Sequence, residues 1–324
     1  MLRATINRSY PDKWKRDIAL SVDLYNSWFM DFAPKAFRKA RLGTTERVER
    51  ALKATDNFAN VSRELLKGHP EILPILRMST CPPIARDRLV GLAGVSKTLV
   101  ESMENSSNPR IPPRIADDRL DEDLGRICDI IMKMADPDIF VWLNRSEPAM
   151  EAEISRAATI VADRLCGAVS DPIIRNAQER RQLNAIGGWL LARGYRRVEG
   201  VKFDDMDKGT YSFRTNIPVS VAGGDGASQV NIPVDVAIMS MDSQKGDLPL
   251  LIEAKSAGDY TNVNKRRKEE AQKMSQLKNT YGDDVRFGLF LCGYFDSGYL
   301  GYEAAEGIDW VWEHRIDDLA LYGL

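Results

Sequence analysis

Histidine and cysteine are the scarce residues of this chain: two histidines, His69 and His314, and four cysteines, Cys81, Cys128, Cys166 and Cys292, in 324 residues, with no C-x-x-C pair. Zinc centres draw on clustered thiolates and imidazoles, so this scatter does not build one, and the cysteines read as small apolar residues. Long hydrophobic runs are absent as well. No stretch reaches the length of a membrane span, and the opening MLRATINRSYPDKWKRD lacks the apolar segment of a signal peptide. A cytoplasmic protein with reduced thiols is therefore expected. Nor is there an excess of one charge: 45 Lys and Arg against 47 Asp and Glu leave a formal net charge of -2. That balance excludes a generally basic protein but not a nucleic-acid binder, because a local patch of cations is enough to meet a phosphate backbone.

What is present is the composition of a globular protein, 44% hydrophobic and 28% charged, in a chain long enough for one large or two ordinary domains. Residues 1–165 read as mostly helical, with apolar residues at three- and four-residue spacing in DIALSVDLYNSWFMDFAPKAF and LDEDLGRICDIIMKMA. ENSSNPRIPPRIADD reads as a surface loop, and ADPDIF as another break. Trp28, Phe29 and Phe32 fall at helical spacing and are assigned to the core. After residue 170 the pattern changes. SDPIIRNAQERRQLNAIGGWLLARGY starts with a capping residue and a proline in its first turn and closes near Gly194, so it reads as one long helix.

Strands follow in YRRVEGV, TYSFRTNIPVSVA, VNIPVDVAIMS, LPLLIEAKS, VRFGLFLCGYF and IDWVWEH, and the charged helix NKRRKEEAQKMSQLKNTYG lies between the fourth and fifth. Trp310 and Trp312 alternate on the last strand and should pack. The expected fold is α/β (α+β): a mostly helical region over 1–165, which could carry DNA-recognition elements, then a core over 166–324 built on a central mixed sheet flanked by helices.

Two of these strands carry charge where apolar residues are expected. In NIPVDVAIMS, Ile232, Val234, Val236 and Ile238 fall on one face, so Asp235 projects from the other; in PLLIEAKS, Glu253 and Lys255 share a face. If the strands pair, the three converge at one sheet edge. Paired carboxylates are hard oxygen ligands of the kind that hold Mg²⁺ together with a substrate phosphate. An adjacent lysine can orient an attacking water and neutralise a phosphate oxygen. The plain alternative is a structural Asp/Glu/Lys network.

The helix after the second of these strands places Lys265, Arg266, Arg267 and Lys268 in or beside its first turn, where the macrodipole disfavours cations. Phosphate oxygens would compensate. Pairing with Glu269 and Glu270 at helical spacing is the other reading. One further carboxylate, Glu179, shares an apolar helix stripe with Leu183, Ile186 and Leu190, and either reaches the same site or serves the helix dipole.

With P-V-D at Pro233 to Asp235 and E-A-K at Glu253 to Lys255, the sequence resembles the PD-(D/E)xK nuclease superfamily. The resemblance implies that Asp235 and Glu253 are metal ligands and Lys255 the catalytic lysine. The motif here is P-x-D, with valine between proline and aspartate. Longer strings, EAKSAGDYTNVNKRRKEEAQK, STCPPIARDRLVGLAGVSKTLVESME and DLYNSWFMDFAP, are similar to type II restriction endonucleases of the XamI kind, over most of the chain. That similarity implies Mg²⁺-dependent cleavage of double-stranded DNA at a short palindrome, GTCGAC for the family's namesake. It also implies product ends with 5′-phosphate and 3′-hydroxyl, a homodimer, and a cognate DNA methyltransferase as functional partner.

LVGLAGVSKTLVESMEN resembles a helix-turn-helix whose turn is AGVS, which would bring Ser96 and Lys97, with nearby Arg86 and Arg88, toward DNA. A plain helical hairpin fits the same string. Two other functions remain open at this point: a nuclease directed by DNA structure, as in repair, and a non-enzymatic helix-turn-helix regulator.

Overall fold

In the computed structural model, residues 5–223, 226–244, 246–261 and 263–324 are described, without the side chains of residues 221–223, 226–228 and 263–267. A 44-residue helix, α1 (Pro11–Ala54), leads into the shorter α2 (Arg63–Gly68), α3 (Leu73–Met78), α4 (Arg86–Ala93), α5 (Lys97–Met103) and α6 (Asp117–Lys133), and then into the 41-residue α7 (Glu151–Leu191). The strands come next: β1 (Arg196–Arg197), β2 (Thr210–Gly223), β3 (Gly226–Met239) and β4 (Leu250–Ala257). The chain closes with α8 (Val263–Tyr281), β5 (Arg286–Gly293), α9 (Ser297–Ala305), β6 (Asp309–Trp312) and 3₁₀ turns over Glu313–Tyr322. This is the α+β architecture expected, a helical region followed by a mixed sheet with helices.

Two compact units emerge, one of Met1–Phe32 with Arg175–Leu324 and one of Ala33–Ile174. The single boundary at residue 165 read from the sequence differs from this division, because the first 32 residues join the sheet unit. Asp309 explains why: its carboxylate accepts hydrogen bonds from the backbone N–H of Ile6 (2.7 Å), Asn7 (2.9 Å) and Arg8 (3.1 Å). Ser21 Oγ then accepts from Gly293 N at 2.8 Å, and Asp17 pairs with Arg315 at 2.8 Å. Such contacts span about 300 residues of sequence and leave no local pattern to read.

The helical unit has its own core. In α6, Leu120, Leu124, Ile127, Cys128 and Ile131 are buried at helical spacing, while Asp117 and Asp118 in the first turn and Lys133 in the last suit the helix dipole. They join Val48, Leu52, Leu66, Leu73, Leu76, Leu99 and Val161, with Phe58 stacked on Phe140 at 4.3 Å.

Within the sheet unit the six strands lie in sequence order, β1 to β6. β1 runs parallel to β2, β2–β3 and β3–β4 are antiparallel, and β4–β5 and β5–β6 are parallel. Parallel neighbours require crossovers: α8 supplies the one from β4 to β5 and α9 the one from β5 to β6, while β1 reaches β2 through the 3₁₀ turn Phe203–Asp205. One core cluster gathers Leu183, Ile186, Trp189 and Leu190 of α7 with Val236, Ile238, Leu250, Ile252 and Phe290. The other gathers Met274 and Leu277 of α8 and Tyr299 and Leu300 of α9 with Ala237, Leu251, Leu289 and the fully buried Trp310 and Trp312. Phe29, assigned to the core by its spacing, is 41% exposed.

Three expectations change. The helix read as starting at Ser170 is the second part of α7, which runs through Pro172. Proline removes one hydrogen bond of the ladder, but buried residues on either side, Val161 and Leu165 before it and Leu183 and Ile186 after it, hold the helical path. α9 was not anticipated. The face of β3 is also divided: Val236 and Ile238 pack in the α7 cluster, Ile232 and Val234 in the α8 cluster. The division falls where Arg214 of β2 adopts a left-handed backbone (φ 53°), at the register position opposite Asp235. A left-handed residue inside a strand breaks its two-residue alternation.

Replacing Asp309 with alanine strands the N–H groups of residues 6–8. A loss of about 3 kcal/mol is expected, with the N-terminal segment opening to protease at Arg8 before the rest. Urea unfolding and mass spectrometry of early tryptic products would check it; wild-type stability in the variant would show that the anchor is dispensable.

Candidate active site

β3 and β4 pair only at Val236↔Ile252, Ala237↔Leu251 and Ile238↔Leu250. One step further Asp235 would face Glu253, and there the ladder ends. Every buried backbone N–H needs an acceptor, and the N–H of Ala254 finds it in Asp235 Oδ2, 2.8 Å away. The strands thus part at Asp235, and the aspartate caps the fork. On β4, Leu251 and Ala257 belong to the α8 cluster, so Glu253 and Lys255, at the same parity, emerge on the α8 side.

At the fork the charges interlock. Lys255 Nζ lies 3.1 Å from Glu253 Oε1 and 2.9 Å from Glu270 Oε1, and Lys273 Nζ lies 2.8 Å from Glu253 Oε1 while donating to Pro233 O at 2.9 Å. Glu270 and Lys273 come from α8, on a stripe completed by Met274 and Leu277. Gln182 of α7 fixes the backbone from the opposite face, its Nε2 donating to Lys255 O (3.2 Å) and Phe290 O (3.3 Å). Glu270, Lys273 and Gln182 were all missed in the sequence as site residues. The signal for Glu270 was a glutamate on the apolar stripe of α8, with Met274 and Leu277 four and seven residues on.

Burial, and then the Glu253 charge, push the Asp235 carboxyl up to about 6, although the Ala254 N–H and Lys255 pull the other way. Burial draws the Lys255 ammonium down, but the Glu253 and Glu270 carboxylates outweigh it and hold its pKa above the ordinary value. Lys255 therefore stays charged at neutral pH and cannot take a proton from water.

A divalent cation fits this donor set. Glu253 Oε2 is buried and has no hydrogen-bond partner among the described residues, while Asp235 and Glu253 repel each other across the fork. Among the described residues no cluster of three or more His, Cys, Asp or Glu side chains could hold a metal ion. Two carboxylates are what remains, and that is the protein share typical of Mg²⁺, with waters and substrate phosphate completing the shell.

Other candidates lie elsewhere. Glu179, half-buried, pairs with Arg214 through Nε (3.1 Å) and Nη2 (2.8 Å), and its charge is a minor contribution to the rise at Asp235. Lys268 is exposed in the second turn of α8, and the side chains of Lys265, Arg266 and Arg267 lie outside the described residues. Among the described residues Glu270 pairs with Lys255.

In the helical unit, α4 and α5 are joined by a turn in which Gly94 is left-handed (φ 62°) and Ser96 caps α5, its hydroxyl accepting from Leu99 N at 3.1 Å. Two short helices joined by a tight turn are common to the helix-turn-helix and to the plain helical hairpin. Lys97 pairs with Glu101 at 3.7 Å, Arg86 lies 3.5 Å from Glu104, and Arg88 is exposed. The four cysteines are free thiols, and no helix among the described residues is long and apolar enough to cross a membrane.

The family model of the XamI restriction endonuclease matches residues 56–312, which takes in every residue of the fork. The chain is also 53% identical over 321 residues, 98% of its length and 99% of the relative's, to the type II restriction enzyme SalI of Streptomyces albus G.

The Asp235 shift fixes a stability test. A carboxyl raised from 3.8 to about 6 favours folding below the unfolded value, and that favour is lost as pH rises through 6. Ionised Asp235 then costs on the order of 3 kcal/mol. Asp235→Asn, which keeps an acceptor for Ala254 N, should melt several degrees above wild type at pH 8, with the gap closing toward pH 4. Equal melting points at pH 8 would show that the carboxylate is not strained.

Proposed function

This chain belongs to the XamI restriction endonuclease family, and from that premise we propose a Mg²⁺-dependent enzyme that cuts both DNA strands at a short GTCGAC-like palindrome, using Asp235, Glu253 and Lys255. It is a type II site-specific deoxyribonuclease, so double-stranded DNA is its substrate. The observation that carries the proposal for the site is the convergence at the fork: Asp235 capping Ala254 N, beside Glu253 with its buried, unpartnered Oε2, and Lys255 3.1 Å from Glu253.

In this reading Asp235 and Glu253 hold the cation through their carboxylate oxygens. Mg²⁺, when bound, supplies positive charge beside the scissile phosphate and eases loss of a proton from water. Lys255, fixed as an ammonium, orients the attacking water and neutralises a non-bridging phosphate oxygen. Water attacks phosphorus and gives up a proton to solvent, the bond to O3′ breaks with its electron pair leaving on O3′, and O3′ takes a proton back from solvent. The ends then carry 5′-phosphate and 3′-hydroxyl. Glu179 serves as the Arg214 partner that sets the β2 side of the fork rather than as a further ligand.

A palindromic target is two-fold symmetric, which favours a homodimer that places one fork at each strand. The host's own copies of the site would need a methyltransferase partner. Backbone phosphates would be met by the basic start of α8 (Lys265 to Lys268), and bases or phosphates by the α4–α5 segment with Arg86, Arg88, Ser96 and Lys97. The 53% identity with a type II restriction enzyme over nearly the whole chain supports cleavage of double-stranded DNA at a defined site, and the GTCGAC-like sequence is carried over from the resemblance to the family's namesake.

Digestion of unmethylated phage DNA with Mg²⁺, with EDTA, and with the Lys255→Ala protein tests this. Discrete fragments are expected that need both Mg²⁺ and Lys255, with ends mapping to one palindrome. A smear would point to a nuclease without a site, and cutting in EDTA would remove the cation from the account.

A further inference from the structure

We propose that Glu270 of α8 is a positioning residue for the cleavage reaction, its carboxylate anchoring the Lys255 ammonium once Glu253 is engaged with the cation. The proposal rests on the reading of Asp235, Glu253 and Lys255 given above.

The geometry sets two carboxylates on one ammonium: Lys255 Nζ is 3.1 Å from Glu253 Oε1 and 2.9 Å from Glu270 Oε1. They are not equivalent. Glu253 comes from the same strand as Lys255 and already shares Oε1 with Lys273, at 2.8 Å. Glu270 comes from a helix, its side chain is 1% exposed, and among the described residues Lys255 is its ion-pair partner. A buried carboxylate left without a cation is strongly unfavourable, so this pair is fixed from the glutamate's side as much as from the lysine's.

When Glu253 shares its charge with a divalent cation, its pull on Lys255 weakens and the cation repels the ammonium. A lysine on a flexible four-carbon stem then needs a second anchor outside the cation's shell. Glu270 meets that need from the adjacent element. Glu303, also buried, supports the assignment: burial first, and the Glu270 charge next, keep its carboxyl protonated up to about 8.

The experiment compares Glu270→Gln and Glu270→Asp in the full chain. Three quantities are read: the single-turnover cleavage rate at saturating enzyme and Mg²⁺, the dissociation constant for the same duplex in Ca²⁺, and the melting temperature. Glu270→Gln should cleave about 100-fold more slowly with DNA affinity within about threefold of wild type, and Glu270→Asp should recover about tenfold of that loss. The melting temperature of Glu270→Gln should fall by no more than a few degrees, because in the cation-free protein Lys255 keeps Glu253 as a partner. Added to Lys255→Ala, Glu270→Gln should slow the residual cleavage no further. A Glu270→Gln rate close to wild type, a loss confined to DNA affinity, or a full additional loss on the Lys255→Ala background would each overturn the inference. Lys255→Ala cutting at the wild-type rate would instead overturn the reading of the site on which it rests.

Discussion

Charge withdrawn from water at the parting of β3 and β4 is the constraint on which the rest of the sheet unit depends. Asp235 is held there because the Ala254 N–H needs an acceptor where the ladder stops, and Glu253 sits beside it with one buried oxygen unpartnered. Two carboxylates so placed repel, and the fold answers with ammonium groups from two elements, Lys255 on β4 and Lys273 on α8. The two cations follow from that demand for positive charge, and the buried glutamate of α8 holds one of them, Lys255, in place. A divalent cation between the carboxylates would satisfy it more compactly than two lysines can.

The surrounding fold makes the fork possible. The left-handed backbone at Arg214 turns β2 and β3 so that their apolar residues serve one core cluster before the break and the other after it. Gln182 on α7 fixes the β4 backbone from the other side, and the crossover from β4 to β5 lays α8 beside the fork. A crossover between parallel strands is a topological requirement; between β4 and β5 it is a helix that also carries Glu270 and Lys273.

Much of this was legible in the sequence, and the rest was not for identifiable reasons. The strands declared themselves by alternation and β-branched content, and Asp235, Glu253 and Lys255 by charge inside apolar runs. α9 did not, since Gly298 and Gly301 weaken a nine-residue helix rich in aromatic residues that also suit strands. The Pro172 signal misled because packing on both sides of it outweighs one lost hydrogen bond. The stripe argument that selected Glu179 on α7 applies equally to Glu270 on α8, but the run of cations before Glu270 drew it into a surface reading. The grouping of residues 1–32 with the sheet depends on Asp309 and its partners, and separation on that scale has no local signature.

The most direct test of the account is an electron paramagnetic resonance titration of Mn²⁺, a spectroscopic stand-in for Mg²⁺, into the protein with a duplex carrying GTCGAC. Saturable binding is predicted for the wild type and its loss in Asp235→Asn and in Glu253→Gln, both still folded by melting temperature. Unchanged Mn²⁺ binding in both variants would contradict the account and leave the fork as an internal charge network.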